Sequence, residues 1–332
     1  MIKSLIGILY NEPAPLGHPL WESSKDVLDQ VVAIETALQE LSRPCIRIPF
    51  AGDIKKLLNL LERKSVTMAF NLCESVNENP RLIGHPAAVL ELLGIPFSGS
   101  PALSLMLTTD KLLSKQLLKA NGVNTPEFAL YDGFFYDEPL ALRFPVIAKP
   151  RFEDASIGID QESIFTDNHS LRQGVEELYN LHGSLIIEEF ISGREFNLSI
   201  FGYPEPKVFK AAEIDFSEFP SELYQIVGYR AKWDPTAFEY HHSPRRFPDN
   251  LSNLLAADLH KTALCCYKLF QLRDYGRIDF RVDQYNNVYV LEANANPCLS
   301  PDAGFTAAAY NEGLSFTAIT AEFIKFLEMR TV

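Results

Sequence analysis

The sequence predicts an α/β unit on an open, mostly parallel sheet, followed by an α+β half whose strands pair antiparallel. Strand-like and helix-like stretches alternate through the first hundred residues, which is βαβ rhythm. After residue 184 the pattern turns strand-rich, and no internal repeat or low-complexity tract breaks it. With 332 residues, 47% of them apolar, the chain can bury more than one core. Boundaries are placed to give units at 1–104, 105–184 and 185–332.

The elements follow in order. Leu5 to Leu9 reads as a first strand. From Ser24, taken as N-cap, Val27, Val31, Ile34, Leu38 and Leu41 recur at steps of four and three, which predicts a helix with one apolar face. Cys45 to Pro49 offers a strand, residues 54 to 63 a helix, Thr67 to Leu72 a strand, and His85 to Leu93 a helix closed by Gly94. A new unit begins near Pro101, where Thr109 or Asp110 caps a helix running to Asn121, stopped by Gly122 and Pro126. FPVIAKP then supplies a strand, RFEDASIGID a polar loop and Ser170 to Leu181 a helix. LIIEEFI, EFNLSIF, KVFKAAEI, GRIDFRVD and VYVLEANAN read as strands, with a helix from Asn250 to Leu269 packed on them.

Composition narrows the function. Thirty Lys and Arg against 43 Asp and Glu leave a formal charge of −13, which argues against nucleic acid or an anionic membrane as partner. The first apolar run ends by Tyr10, too short for a signal-peptide core, and no stretch approaches the roughly 20 apolar residues of a membrane span. Five cysteines without Cys-x-x-Cys spacing indicate neither a disulfide framework nor a zinc site, and fit a cytoplasmic protein.

GRIDFRVDQYNNVYVLEANANP is the most informative stretch. It reads as a β-hairpin around Asn286 and Asn287. Arg277 and Asp279 share one strand face, and Glu292 and Asn294 share one in the return strand. One antiparallel register sets Asp279 opposite Glu292 and Arg277 opposite Asn294. A loop of even length keeps all four together, whereas an uncompensated odd loop separates the acids. Opposed carboxylates repel unless a cation lies between them, and with an amide carbonyl they suit magnesium, which completes its shell with water and phosphate. An exposed hairpin with scattered charge is the alternative.

GRIDFRVD followed by VLEANANP resembles the C-terminal signature of ATP-grasp enzymes, most closely those similar to D-alanine:D-alanine ligase. The resemblance runs from about residue 94 to 297. It implies an ATP-grasp fold behind an N-terminal Rossmann-like domain, with residues 1–104 on the substrate side and the metal site in 185–332. It carries an arginine assisting phosphoryl transfer onto Arg277, and metal ligation onto Asp279, Glu292 and Asn294. TTDKLLSKQLLKANGVNTP looks like the helix opening the core, making Lys111 a nucleotide or phosphate contact. Lys149 in FPVIAKP is implied as a phosphate ligand, where a point charge suits the task. RFEDASIGID resembles the loop covering the triphosphate, with Ser156 as its contact and Ala155 and Gly158 allowing close backbone approach. In LIIEEFISGREFNLSI the resemblance places Glu188 and the backbone of Phe190 and Ile191 at the adenine edge, and Glu195 at the ribose hydroxyls. A carboxylate, acceptor-only, suits those donors. Glu189 is left as a strand-end acid in solvent. GYRAKWD places Lys232 as a phosphate contact on a mobile loop, with Trp233 where the family usually has tyrosine.

The implied activity is ligation of a carboxylate to an amine, of amino-acid or peptide type, through an acyl-phosphate, releasing ADP and phosphate. The implied cofactors are ATP and magnesium, as two ions, with manganese a substitute; small-molecule substrates are the partners and a homodimer is compatible. The N-terminal third departs from the family. YNEPAPLGHPLWESS leaves Glu12 and Glu22 as analogues of its substrate-binding glutamate. Cys73 and Glu74 replace a His-Gly pair, and Cys298, Leu299 and Ser300 replace a glycine and hydroxyl residues. D-alanine:D-alanine ligase itself is one alternative, and a catalytically inactive ATP-binding regulatory protein another. A dinucleotide-binding oxidoreductase is disfavoured, because no Gly-x-Gly-x-x-Gly follows the first strand.

Overall fold

Three parallel strands open the chain because each is short, apolar and followed by a helix that must cross back over the sheet. The computed structural model describes residues 5–18, 21–136 and 140–331. Its first sheet runs in the order Cys45–Phe50, Leu5–Asn11, Val66–Asn71, and Phe97 adds a parallel bridge to Ala69. Alternation sends Ile6, Ile8 and Tyr10 to one face, with Val27, Val31, Ile34 and Leu38 of the long helix. Leu9, Ile48 and Phe50 go to the other, with Leu57 and Leu61.

Helix starts differ from those predicted. The first helix spans Trp21–Glu40, so Ser24 lies inside it; its Oγ donates to the Trp21 carbonyl and accepts from the Ala14 N–H. Asp110, rather than Thr109, caps the Lys111–Ala120 helix, accepting from the Leu112 and Leu113 N–H groups. Asp167 caps Asn168–His182 in a reciprocal box with Ser170, and Ser252 caps Asn253–Leu269. The elements not foreseen include the helices Ala102–Thr109, Gly304–Asn311 and Phe316–Met329, the strand Phe128–Tyr131, and the short pieces Ile164–Phe165, Tyr229–Trp233, Phe238–His242 and Arg245–Arg246. KVFKAAEI is two short strands, Lys207–Val208 and Ala212–Ile214.

Two antiparallel sheets complete the fold. The smaller runs Phe128–Tyr131, Leu185–Glu189, Val146–Pro150, Ile164–Phe165. The larger runs Arg245–Arg246, Ala212–Ile214, Arg194–Gly202, Asp274–Val282, Val288–Asn294. In its hairpin Asp279 does face Glu292 and Arg277 does face Asn294. The loop is odd: Val282 pairs Val288, so 283–287 form the turn, and a regular ladder would set Leu291 against Asp279. A bulge at Leu291 compensates, since Phe280 pairs Val290 while Asp279 pairs Glu292. One extra residue thus returns Glu292 to the face of Asp279 and turns Leu291 into the same cavity.

The outer face of the first sheet is covered from the far end of the chain. Phe323, wholly buried, meets Phe70, Phe201 and Tyr275 edge-on at 5.8, 5.2 and 5.1 Å. The C-terminal helix therefore locks the parallel sheet to the larger antiparallel one. Phe323→Ala should destabilise the protein by about 3–5 kcal/mol, read as a lower urea midpoint.

Candidate active site

A cavity of about 730 Å³ lies between the two antiparallel sheets and reaches the ends of the first sheet's strands. Every residue assigned from the sequence lines it: Lys111, Lys149, Ser156, Glu188, Phe190, Ile191, Glu195, Lys232, Arg277, Asp279, Glu292 and Asn294. The rest of the site came from packing.

At one end the Glu188 carboxylate, 1% exposed, accepts through Oε2 from Lys115 Nζ at 3.0 Å and Lys149 Nζ at 2.9 Å. Lys115, four residues beyond Lys111 and so on its helix face, also donates to Thr125 Oγ1 and the Val290 carbonyl. Burial pushes Lys115 down to about 8, whereas Glu188 stays below the ordinary carboxylate value: burial would raise it, but the two ammonium groups outweigh that. Glu188 Oε1 is shielded and has no hydrogen-bond partner among the described residues. An acceptor left so is costly unless a ligand donor meets it, and an exocyclic amine would. Lys149 is thus a member of an ion pair as well as a cavity cation.

The neighbouring strand end is tighter than expected. Glu189 is not in solvent; it is 5% exposed and gripped by Arg143 through Nε, Nη2 and its backbone N–H. The Phe190 N–H is taken by the Pro145 carbonyl at 2.9 Å, so only the rest of the Phe190–Ile191 backbone is open to a base. Glu195 faces the cavity but pairs with Arg281 at 2.9 Å. Burial still raises Glu195 above the usual carboxylate range. Arg281 was missed, although strand alternation puts it on the face of Arg277 and Asp279.

Arg277 donates from Nε and Nη2 to both oxygens of Asp279, at 2.8 and 2.9 Å. Burial would lower its pKa, but Asp279 and then Glu292 hold it firmly protonated. Burial, then Arg277, pushes Lys232 below an ordinary lysine. Asn294 Oδ1 accepts from the Asn296 N–H at 3.0 Å, which fixes its orientation. Nowhere among the described residues do three His, Cys, Asp or Glu side chains converge as a metal site, so a cation here would take two carboxylates and an amide. Magnesium fits such a set, because it keeps waters and takes phosphate oxygens for the remaining positions.

Two loops roof the cavity. Lys111 Nζ donates to the Glu153 carbonyl and lies 3.5 Å from Asp154, while Arg151 grips Asp110 at 2.8 and 2.6 Å. Burial tends to lower Lys111, yet Asp154, Glu292, Glu188 and Glu153 hold it above its ordinary value. Ser156, at φ 62°, donates from Oγ to the Val227 carbonyl at 2.7 Å, and Trp233 Nε1 donates to the Ala155 carbonyl at 3.0 Å. Gly158 has room for no side chain: a Cβ would stand 2.6 Å from Pro150 Cγ and 2.8 Å from His182 Nε2.

The opposite end is acidic. Glu12 lines it, whereas Glu22 is an exposed partner of Lys25 outside it. Gln30 Nε2 donates to Glu74 at 2.8 Å, and Cys298 Sγ donates to Asp26 at 2.8 Å. Burial, followed by the Asp26 carboxylate, holds the Cys298 thiol well above its ordinary range and so protonated.

Two antiparallel sheets closing on a cavity, with a lysine-bound glutamate at one end and a carboxylate–arginine hairpin beyond it, define an ATP-grasp protein. The D-ala D-ala ligase C-terminus family model matches residues 118–325. The chain belongs to the D-alanine–D-alanine ligase family, and is an ATP-dependent carboxylate–amine ligase. It is 31% identical over 319 residues to the uncharacterized protein y4sG of Sinorhizobium fredii, covering 93% of this chain and 89% of that one. It is 31% identical over 248 residues to a D-alanine–D-alanine ligase of Carboxydothermus hydrogenoformans, covering 71% of this chain and 74% of the relative. A D-alanine–D-alanine ligase from Bacillus anthracis, solved with ATP, superposes with a TM-score of 0.77 at 21% identity over 98% of both chains. The VanG D-Ala:D-Ser ligase of Enterococcus faecalis gives 0.73 at 18% identity, over 98% of this chain and 99% of its own. No helix among the described residues is long and apolar enough to cross a membrane.

Glu74 gives the site a pH signature. Burial, with Asp26 and Asp154 nearby and Gln30 opposing them, raises its pKa from 4.5 to about 7. The folded state therefore binds this proton more tightly than the unfolded chain does, so the stability it contributes is full below pH 4.5 and is lost as pH rises through about 7. Glu74→Gln keeps the acceptor for Gln30 and removes the proton. Urea titrations at several pH values should show the wild type losing about 3 kcal/mol, relative to the variant, as pH rises through and beyond that window.

Proposed function

We propose that this ligase phosphorylates a substrate carboxylate with ATP and passes the acyl group to the amine of an amino acid or peptide, releasing ADP and phosphate. The observation that carries this is the register of one hairpin, which puts Arg277, Asp279, Glu292 and Asn294 together on the wall of a cavity whose far end holds an unfilled acceptor on Glu188. Nucleotide recognition falls to Glu188 Oε1 and the Phe190–Ile191 backbone for the base, with Leu291 and Ile147 as apolar floor, and to Glu195 for the ribose. Lys111, Lys149, Lys232 and Ser156 are the polyphosphate contacts. Magnesium held by Asp279, Glu292 and Asn294 would offset the charge of the phosphates, and manganese would serve in its place.

Arg277 does the remaining electrostatic work. It rests on Asp279 in a two-point pair, and a cation held by that carboxylate would leave the guanidinium fork for the transferring group. The substrate carboxylate attacks the γ-phosphorus and ADP leaves. The amine then attacks the acyl carbon, the C–N bond forms as the C–O bond to phosphate breaks, and the nitrogen loses a proton. Ser156 and Trp233, tying their loops together over the cavity, exclude the water that would otherwise hydrolyse the acyl-phosphate. Cys73 and Glu74, and Cys298 with its neighbours, change the substrate end, which favours an amino-acid or peptide ligase over D-alanine:D-alanine ligase.

Hydroxylamine in place of the amine, offered with a panel of amino acids and dipeptides, should give a hydroxamate and stoichiometric ADP. AMP as the product would rule the mechanism out. Arg277→Ala should lower hydroxamate and amide formation together by roughly 100-fold or more, with a small change in ATP affinity. Asp279→Asn and Glu292→Gln should each abolish metal-dependent turnover while circular dichroism stays native. Normal turnover of that pair at limiting magnesium would remove the metal assignment. An ATP-binding regulator without catalysis would bind nucleotide yet release no ADP with any pair.

A further inference from the structure

Asn296 is a polar residue to which the reaction described above gives no task, although it stands two positions beyond Asn294 on the cavity wall. Pro297 follows it and disfavours a helical turn there, so the chain leaves the hairpin extended. Three hydrogen bonds then meet on this one residue. Its backbone N–H donates to Asn294 Oδ1 at 3.0 Å, the Tyr275 hydroxyl donates to its Oδ1 at 2.7 Å, and its Nδ2 donates to the Cys73 carbonyl at 3.2 Å.

Both anchors are rigid. Tyr275 is 1% exposed, and its ring meets Phe305 and Phe323 edge-on at 5.2 and 5.1 Å, so its hydroxyl has little freedom to find another acceptor. Cys73 is wholly buried; its N–H is taken by Asn71 Oδ1 at 3.4 Å, and that of Glu74 by Asn11 Oδ1 at 2.9 Å. These two asparagines end strands of the first sheet. A second tie runs beside the first: Gln30 accepts from the Leu299 N–H at 3.0 Å and donates to Glu74 at 2.8 Å. The stretch from Asn294 to Leu299 is thus fastened at two points to a segment that Asn296 meets across 223 positions of chain.

Asn294 can ligate a cation only through Oδ1, because its amide nitrogen is a donor. That oxygen takes the Asn296 N–H on one lone pair and keeps the other. A carboxamide at 296 meets both anchors, with an acceptor for the tyrosine hydroxyl and a donor for the carbonyl, whereas an aliphatic side chain would leave both without this partner. Hydrogen bonds that orient a ligand raise metal affinity without touching the metal. We infer that Asn296 is a positioning residue: pinned between Tyr275 and Cys73, it holds the Asn294 carboxamide oxygen in place for magnesium. The three metal ligands all lie in the larger sheet, yet the setting of one of them comes from the first sheet and the aromatic lock behind it. This rests on the metal assignment made above.

The test uses the full-length protein with ADP and manganese, and reads free manganese by electron paramagnetic resonance. Asn296→Leu should weaken manganese binding by roughly 10- to 100-fold, with ADP affinity measured without metal unchanged. Tyr275→Phe, which keeps the ring packing and removes one oxygen, should give a smaller loss in the same direction. The double variant Asn294→Ala, Asn296→Leu should bind manganese no worse than Asn294→Ala alone, because a residue acting through Asn294 has nothing to act on once that oxygen is gone. Losses that add in the double variant, or unchanged manganese affinity in Asn296→Leu, would overturn the assignment. Should Asn296→Leu fail to fold, Tyr275→Phe decides, and an affinity equal to wild type refutes the role. A wild type that binds manganese while every Asn296 and Tyr275 variant binds it equally defeats this inference alone. A wild type with ADP that binds no manganese defeats the metal assignment and this inference with it.

Discussion

The site depends on one buried carboxylate held between two ammonium groups. Glu188 lies at the seam of the two antiparallel sheets, and Lys115 reaches it from a helix while touching the Val290 carbonyl of the other sheet. Lys149 approaches from the adjacent strand. Taking three charges out of water is expensive, and hydrophobic residues of similar volume would serve stability as well or better. The arrangement makes sense as preorganisation. It ties the two sheets together, and it leaves one carboxylate oxygen shielded from solvent without a partner among the described residues.

Charge also organises the rest of the cavity. Arg277 is satisfied by Asp279, Arg281 by Glu195 and Lys111 by Asp154 and the Glu153 carbonyl, so in the absence of ligand most cations rest on acids of the same wall. A polyphosphate with a divalent cation would exchange these partners rather than find bare charges. Desolvation is then largely complete before binding, which is how fixed dipoles and charges act more strongly than water. Arg245 breaks the rule, and the acidic end with Glu74, Asp26 and the protonated Cys298 differs most from the family pattern.

The roof couples to the same scheme. Lys111 and Arg151 anchor the 151–160 loop to the start of the helix behind it, and Ser156, Ala155 and Ile159 join that loop to the segment following Ile226. Trp233 uses its indole N–H for this junction, and so serves as a clasp between the two covering segments.

By itself the sequence determined whatever depends on local backbone geometry. Strand alternation put Arg277 with Asp279 and Glu292 with Asn294, and the helical period of Val27, Val31, Ile34 and Leu38 marked a buried face, because those relations are settled within a dozen residues. The resemblance of ordered motifs added residues expected to contact nucleotide, and all of these line one cavity. Tertiary structure decided what lies far apart in the chain or turns on a single residue of register. The bulge at Leu291, which rescues an odd hairpin loop, leaves no mark in an alternation pattern. Lys115 meets Glu188 across 73 positions and Val290 across 175, and the helix Phe316–Met329 closes on the first sheet from the opposite end of the chain. Only the fold shows that Arg245 lines the cavity with its Nε shielded and without a hydrogen-bond partner among the described residues.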